Sequence, residues 1–254
     1  MSFPSPLDIA RDGARGWTSF FKYGHATVGV DFLPIVSGET VQLPQPSGAQ
    51  QLRAVSTSAD DGPAGPGARS ILLRGLDSNG LEISEIILLN GTTPTAFTNN
   101  SFWRLNFCDV VDSGTYADSL TGSHVGDIAV SDGGSAQWAL IDENGFPHSR
   151  WQSSWYTVPK GYIALSAGFL VSVDANKLAD FKILARPNAL DDTVTYTPMA
   201  ELIELTGIGM PYSQSLSFPV GPFPELTDIG AIGRVQTQTG QLSFGVEFTL
   251  RTAN

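Results

Sequence analysis

The sequence predicts an all-β fold made of two antiparallel β-sandwich-like domains. Two stretches alternate apolar and polar residues with a period of two, Leu81–Asn90 and Gln241–Leu250. In the first, Leu81, Ile83, Glu85, Ile87 and Leu89 share one side; in the second, Leu242, Phe244, Val246, Phe248 and Leu250 do. Asn79-Gly80 and Asn90-Gly91 bound the first stretch. Asn-Gly between alternating runs signals a hairpin, because a type I′ turn needs positive φ at both central residues. Turn residues then recur at roughly 8–12-residue spacing, as in sandwiches and barrels.

Taken in order, residues 1–24 read as an N-terminal arm. Early prolines disfavour a helix before Leu7, and Gly13 and Gly16 limit Leu7–Arg15 to one or two helical turns. Trp17, Phe20, Phe21 and Tyr23 form an aromatic cluster that needs burial, against its own domain or a neighbouring subunit. The first sandwich spans 25–145. Strand-like runs lie in His25–Val41 and Gln50–Ser58, followed by Ser70–Leu76, Leu81–Asn90 and Phe102–Val111, which read as an antiparallel meander. If Asn79-Gly80 closes a two-residue hairpin, Ser78 faces Leu81 and Arg74 faces Glu85. That would give the one charge on the apolar side a partner, contributing roughly 0.2–1 kcal/mol. After a loop at Asp112–Gly126, Asp127–Val130 and Ala136–Ile141 form another hairpin.

Asp142–Ser153, with Asn144-Gly145 and Phe146-Pro147, reads as the domain boundary. The second sandwich, 154–254, fits a jelly roll. It opens with two strands around Pro159-Lys160-Gly161, continues through Phe181–Pro187, and closes with Ala231–Thr237 and Gln241–Leu250. Met199–Gly207 has a mild helical look, in which Glu201 and Glu204 would share a face.

Composition narrows the function. The 254 residues are 41% hydrophobic, enough for a core, and only 15% charged, which leaves a neutral polar surface suited to contact with other protein. The net charge is −11 and the four lysines, Lys22, Lys160, Lys177 and Lys182, are scattered. No basic run exists to neutralise phosphates, so no nucleic-acid partner is expected. No apolar stretch approaches the roughly 18–20 residues of a membrane span, and the N-terminus lacks a basic region ahead of an apolar one. A soluble protein that folds in the cytoplasm, with no membrane contact, is expected.

Catalytic and metal motifs are absent, and no catalytic residue, cofactor or metal is expected. Cys108, the single cysteine, lies in the apolar run FWRLNFCDVV and reads as a buried hydrophobe. His25, His124 and His148 show no ligand spacing. The chain has no G-x-S-x-G elbow, Walker A sequence or dinucleotide fingerprint. The Ala59–Gly67 loop offers only the adjacent pair Asp60 and Asp61, which reads as solvated and not as a calcium site. Glu82 and Glu85, three apart on a strand, face opposite sides. The carboxylates and the tryptophans Trp103, Trp138, Trp151 and Trp155 fit turns and core better than a glycosidase site.

Residues Ser56 to Thr115 resemble a group of virion-associated proteins of tailed bacteriophages, marine ones especially. The matching positions are Ser56, Asp60, Asp61, Gly67-Ala68-Arg69, Gly75-Leu76-Asp77, Ser84-Glu85, Asn90-Gly91-Thr92-Thr93 and Arg104. Gly126-Asp127-Ile128, Tyr156–Gly161, Arg186-Pro187 and Thr227-Asp228-Ile229 extend the likeness over about residues 50–250. It lapses in the arm and at Ala64–Pro66. The resemblance implies a non-enzymatic virion component, assembled in the host cytoplasm. As a capsid decoration protein of cement, knob or fibre type, it would bind the major capsid protein or its own copies as a homo-oligomer. Trp17, Phe20, Phe21 and Tyr23 are the expected interface anchors, and deleting 1–24 is expected to abolish incorporation while leaving the domains folded. A tail, adaptor or baseplate component is the first alternative, and a carbohydrate-binding module for host attachment the second.

Overall fold

Strands carry the chain because its apolar segments alternate with a period of two instead of following the helical 3.6. The structure is a computed structural model describing residues 16–38, 40–46, 48–114, 124–134, 136–144, 149–190, 199–209 and 212–253, with 212–219 as backbone only. Among these residues there is no helix. In chain order the strands are β1 (Trp17–Val28), β2 (Leu33–Pro34), β3 (Gln50–Gln51), β4 (Arg53–Ser56), β5 (Ala68–Leu76), β6 (Glu82–Leu88), β7 (Ser101–Phe102), β8 (Arg104–Ser113), β9 (Ile128–Ser131), β10 (Gln137–Ile141), β11 (Tyr156–Thr157), β12 (Tyr162–Val173), β13 (Ala179–Arg186), β14 (Ala200–Ile208), β15 (Tyr212–Phe223), β16 (Asp228–Val235) and β17 (Gly240–Thr252). The all-β, antiparallel expectation holds.

The division of the chain differs from the expected one. One compact unit comprises Met1–Ile35 with Ser154–Asn254, and the other is Val36–Ser153, inserted between them. The described part of the expected arm is the start of β1, which pairs antiparallel with β17 along its whole length, from Trp17↔Arg251 to Val28↔Gly240. A partner more than 200 residues away leaves no local trace in the sequence, so the segment reads as a loose arm. Leu7–Arg15 lies outside the described residues, as do residues 145–148 of the expected boundary.

In the first unit, one sheet has the order β1-β17-β12-β15 and the other β11-β16-β13-β14, with β2 beside β16. The sheets form a sandwich. Leu242, Phe244, Val246, Phe248 and Leu250 of β17 are buried along its inner side, as their alternation predicts. Each such side chain contributes roughly 1.5–3 kcal/mol on burial. Phe181 and Ala231 of the second sheet are buried too. The segment expected to be helical is strand β14. Opposite β13 its register slips: Ile183 faces Ile203 but Leu184 faces Glu201, leaving Leu202 as a bulge. That bulge sets Glu201 and Glu204 on one side, where Lys182 Nζ meets them at 2.8 and 3.5 Å.

The inserted unit holds sheets β10-β9-β4, β6-β5-β8 and β3-β7 around a core that includes Leu52, Ile71, Leu73, Phe102, Ile128 and Trp138. The central meander is corrected: β8 pairs with β5, not with β6, so β5 lies in the middle. The hairpin register is corrected too. Leu73 faces Glu85 and Arg74 faces Ser84, one step from the expected pairing. The loop has three residues, Ser78-Asn79-Gly80, closed by Asp77 N donating to Leu81 O at 2.9 Å. Gly80 takes φ 76°, as the third position of such a loop requires. Asp77 Oδ1 accepts from Asn79 N and Leu81 N, and this side-chain turn selects the longer loop over the two-residue one.

Candidate interaction surface

β1 is the edge strand of its sheet, and strand parity divides the aromatic cluster. Trp17, Ser19, Phe21, Tyr23 and His25 point away from the second sheet; Phe20 and Lys22 point toward it. Phe20 therefore belongs to the core, with ring centroids 4.7 Å from Tyr156 and 5.7 Å from Phe248. The other three aromatic side chains stay on the outward face. Phe21, 49% exposed, lies across Gly245. A Cβ at Gly245 would fall 2.3 Å from the Phe21 ring, so only glycine leaves that seat open. Tyr23 donates its hydroxyl to Ser243 Oγ at 2.9 Å, and His25 Nδ1 is 3.0 Å from the same oxygen. Ser19 Oγ donates to Glu247 Oε1 at 3.1 Å, and the Arg251 guanidinium stands 5.6 Å from the Trp17 ring centre. Leu170 of β12, level with Gly245, is part-exposed and continues the strip. Rings already held by such contacts lose little conformational freedom when a partner covers them.

Arg74 and Glu85 do not pair. Arg74 forms an ion pair with Asp109 at 2.7 Å and lies over the Phe107 ring, 4.4 Å from its centre. Glu85 instead accepts from the backbone N–H groups of Asn99 and Asn100, at 2.8 and 2.9 Å, and from both their side-chain amides. It anchors the loop that carries the chain from β6 toward β7.

Asp61 is the residue that sequence reasoning misplaced most. Far from solvated, it is fully buried. Its carboxylate accepts from Ser56 Oγ at 2.6 Å, Ala68 N at 2.8 Å, Val125 N at 2.9 Å and Gly126 N at 2.9 Å. Its own carbonyl accepts from Gly91 N at 2.7 Å, while Gly91 O accepts from Ser56 N. A Cβ on Gly67 would strike Asp61 Oδ1 at 2.2 Å. Ser56, Asp61, Gly67, Ala68, Gly91 and Gly126, which carry the phage resemblance, are thus parts of one knot. Four donors saturate the carboxylate and leave no lone pair for a cation. A Ser-x₄-Asp spacing beside a Gly-Ala start of a strand was the signal available.

Other polar groups serve the fold. Asp228 accepts from Thr157 Oγ1 at 2.7 Å and pairs with Arg186 at 2.8 Å. Asp180, buried, pairs with Arg234 at 2.9 Å. Burial pushes its pKa up, but the Gly207 N–H, the Gln236 amide and the Arg234 guanidinium outweigh that and hold it below the usual aspartate value. Hydrogen bonding to Glu201 leads the causes that raise the Lys182 pKa. Cys108 is buried; desolvation, then the Asp109 charge, pushes its thiol far above the range where a thiolate forms. The four tryptophans weighed as a sugar platform are all buried. His124 Nε2 is 3.1 Å from Asp142 O, and His148 lies outside the described residues. Among the described residues, no three His, Cys, Asp or Glu side chains gather as a metal site.

No family model and no curated protein matches the chain. Among solved structures it is similar to infectious bursal disease virus Gt strain, with TM-score 0.22, 10% identity, and coverage of 94% of this chain and 78% of that one. It is similar as well to the infectious bursal disease virus VP2 subviral particle, with TM-score 0.20, 9% identity, and coverage of 94% and 77%. Infectious bursal virus-derived T=1 particles give TM-score 0.21 and 11% identity, with coverage of 94% and 75%. Scores and identities this low transfer no property to the present chain.

Proposed function

We propose that this chain is a structural protein of a tailed-phage virion, a capsid decoration protein of cement, knob or fibre type acting through protein–protein interfaces and not through catalysis. The observation that carries this reading is the outward face of the β1–β17 ladder, where Trp17, Phe21 and Tyr23 stand on a paired strand with their neighbours set by hydrogen bonds. Rigid aromatic anchors of this kind dominate interface energetics. The resemblance of Ser56–Thr115 to phage virion proteins supplies the setting, with the major capsid protein or further copies of this chain as the partner. Buried carboxylates held by the chain's own donors, four on Asp61 and three on Asp180, fit a structural role.

The expected deletion of 1–24 is no longer a clean test, since it would strip two thirds of β1 and remove Phe20 from the core. The triple substitution Trp17→Ser, Phe21→Ser and Tyr23→Ser changes only outward side chains. Co-expressed with the parent capsid, this variant is expected to remain folded by circular dichroism and to lose its place on purified particles. Retention at wild-type copy number rejects the reading. Carbohydrate binding is a second reading, favoured by Ser243, His25 and Glu247 standing beside the Phe21 and Tyr23 rings. Under that reading the same variant keeps its place on particles and loses binding to host-surface polysaccharide.

A further inference from the structure

Among the described residues, the three-stranded sheet of the inserted unit ends on β6, which pairs with β5 alone. In the β5–β6 ladder, Asp77 N donates to Leu81 O and Leu89 N to Arg69 O. These bonds fix the phase: Ile83, Glu85 and Ile87 face their β5 partners as hydrogen-bonded pairs. The N–H and C=O groups of Glu82, Ser84, Ile86 and Leu88 then point to the other edge. Among the described residues, no strand pairs with that edge. Edge strands are ordinarily blunted by lysine, proline or a bulge. β6 has none of these, and residues 36–153 contain no lysine at all.

The same residues turn their side chains to the outward face. Ile86 and Leu88 are 58% and 71% exposed, and Leu72 lies directly across from Ile86. The apolar strip is bracketed by carboxylates: Glu82 is exposed at one end, and Asp112 is exposed at the other, across Ser70 from Leu88. Residues 36–153 as a whole hold thirteen Asp and Glu against five Arg, a formal charge of −8 out of −11 for the chain. A second copy brought edge to edge would set one strongly acidic unit against another. A cationic strand matches both the charge and the apolar centre.

We propose that the free edge of β6 takes up an extended segment of a different protein, with apolar side chains on the outward face and lysine or arginine flanking them, as an added strand of the β6-β5-β8 sheet. The proposal does not rest on the aromatic face of the other unit. That reading is scored on particles and this one on the purified chain, so either can fail alone.

The test uses the full-length protein and two short synthetic peptides, one alternating valine with lysine and one alternating valine with glutamate. The lysine peptide is expected to bind, more weakly as salt is added, and to slow hydrogen exchange at the amides of Ser84, Ile86 and Leu88. Ser84→Pro removes one edge donor and leaves the β5 ladder intact. It should cut affinity by about tenfold or more with no change in melting temperature. Ile86→Lys keeps the backbone edge, puts a like charge in the strip, and should weaken the same peptide if the proline variant misfolds. Failure of the lysine peptide to bind, equal binding of the glutamate peptide, or undiminished binding by a folded edge variant overturns the proposal. So does a protein that self-associates with its β6 edge amides already protected.

Discussion

Asp61 accepts four hydrogen bonds from three separate segments while wholly buried, and each donor is left without an acceptor if the carboxylate is removed. Charge-assisted bonds contribute more than neutral ones, and a buried unsatisfied donor costs about 1–3 kcal/mol. Asp61→Ala should therefore destabilise the inserted unit by about 3–5 kcal/mol, read as a shift of that unit's transition in urea; a loss below about 1 kcal/mol would show that the knot is not what holds the unit. Asp180 gives a pH signature in the other unit. Its folded pKa is lowered, so its contribution is fully present above the unfolded value of about 4 and is lost as pH falls through the lower folded value. Asp180→Asn should flatten the acid limb of that unit's melting temperature against pH. An unchanged limb would assign the acid response to other carboxylates.

The strands themselves were legible, and their partners were not. Alternation alone marked β17 and β6, and parity applied to Trp17–Tyr23 would have sent Phe20 inward. Loop length depended on Asp77 acting as an acceptor, which a count from Asn79-Gly80 does not contain. In β14 the bulge at Leu202 places residues three apart on one side, so a strand imitated helical spacing. The β5–β6 hairpin offers a direct comparison of the expected and observed pairings. Glu85→Gln should weaken the anchor of the following loop and speed hydrogen exchange at the Asn99 and Asn100 amides, whereas Arg74→Ala should leave those amides protected, because Arg74 belongs to Asp109. Deprotection by both variants to the same degree would restore the Arg74–Glu85 pair.

At the scale of the molecule, the chain is a sandwich interrupted by a second unit, and both sides of the junction are closed. Ser154 N donates to Ile35 O at 3.1 Å, one residue further on Val36 bridges Ser153 antiparallel, and two residues further on Ser37 N donates to Gln152 O at 2.8 Å. Each unit thus begins and ends at one place, the condition under which a domain can be inserted or removed. The inserted unit has its own buried cluster from Val36 to Trp151. The surrounding unit draws both sheets from residues outside the insertion. Residues 36–153 expressed alone should unfold in one cooperative transition. The complementary chain, with Ile35 joined to Ser154 through a short glycine linker, should keep the β1–β17 ladder, because the ends are already within hydrogen-bond reach. Circular dichroism and amide exchange on the two pieces would check both statements. If the joined chain lost protection across β1 while residues 36–153 stayed folded, the sandwich would depend on the insertion for more than its connection, and the two units would have to be treated as one cooperative fold.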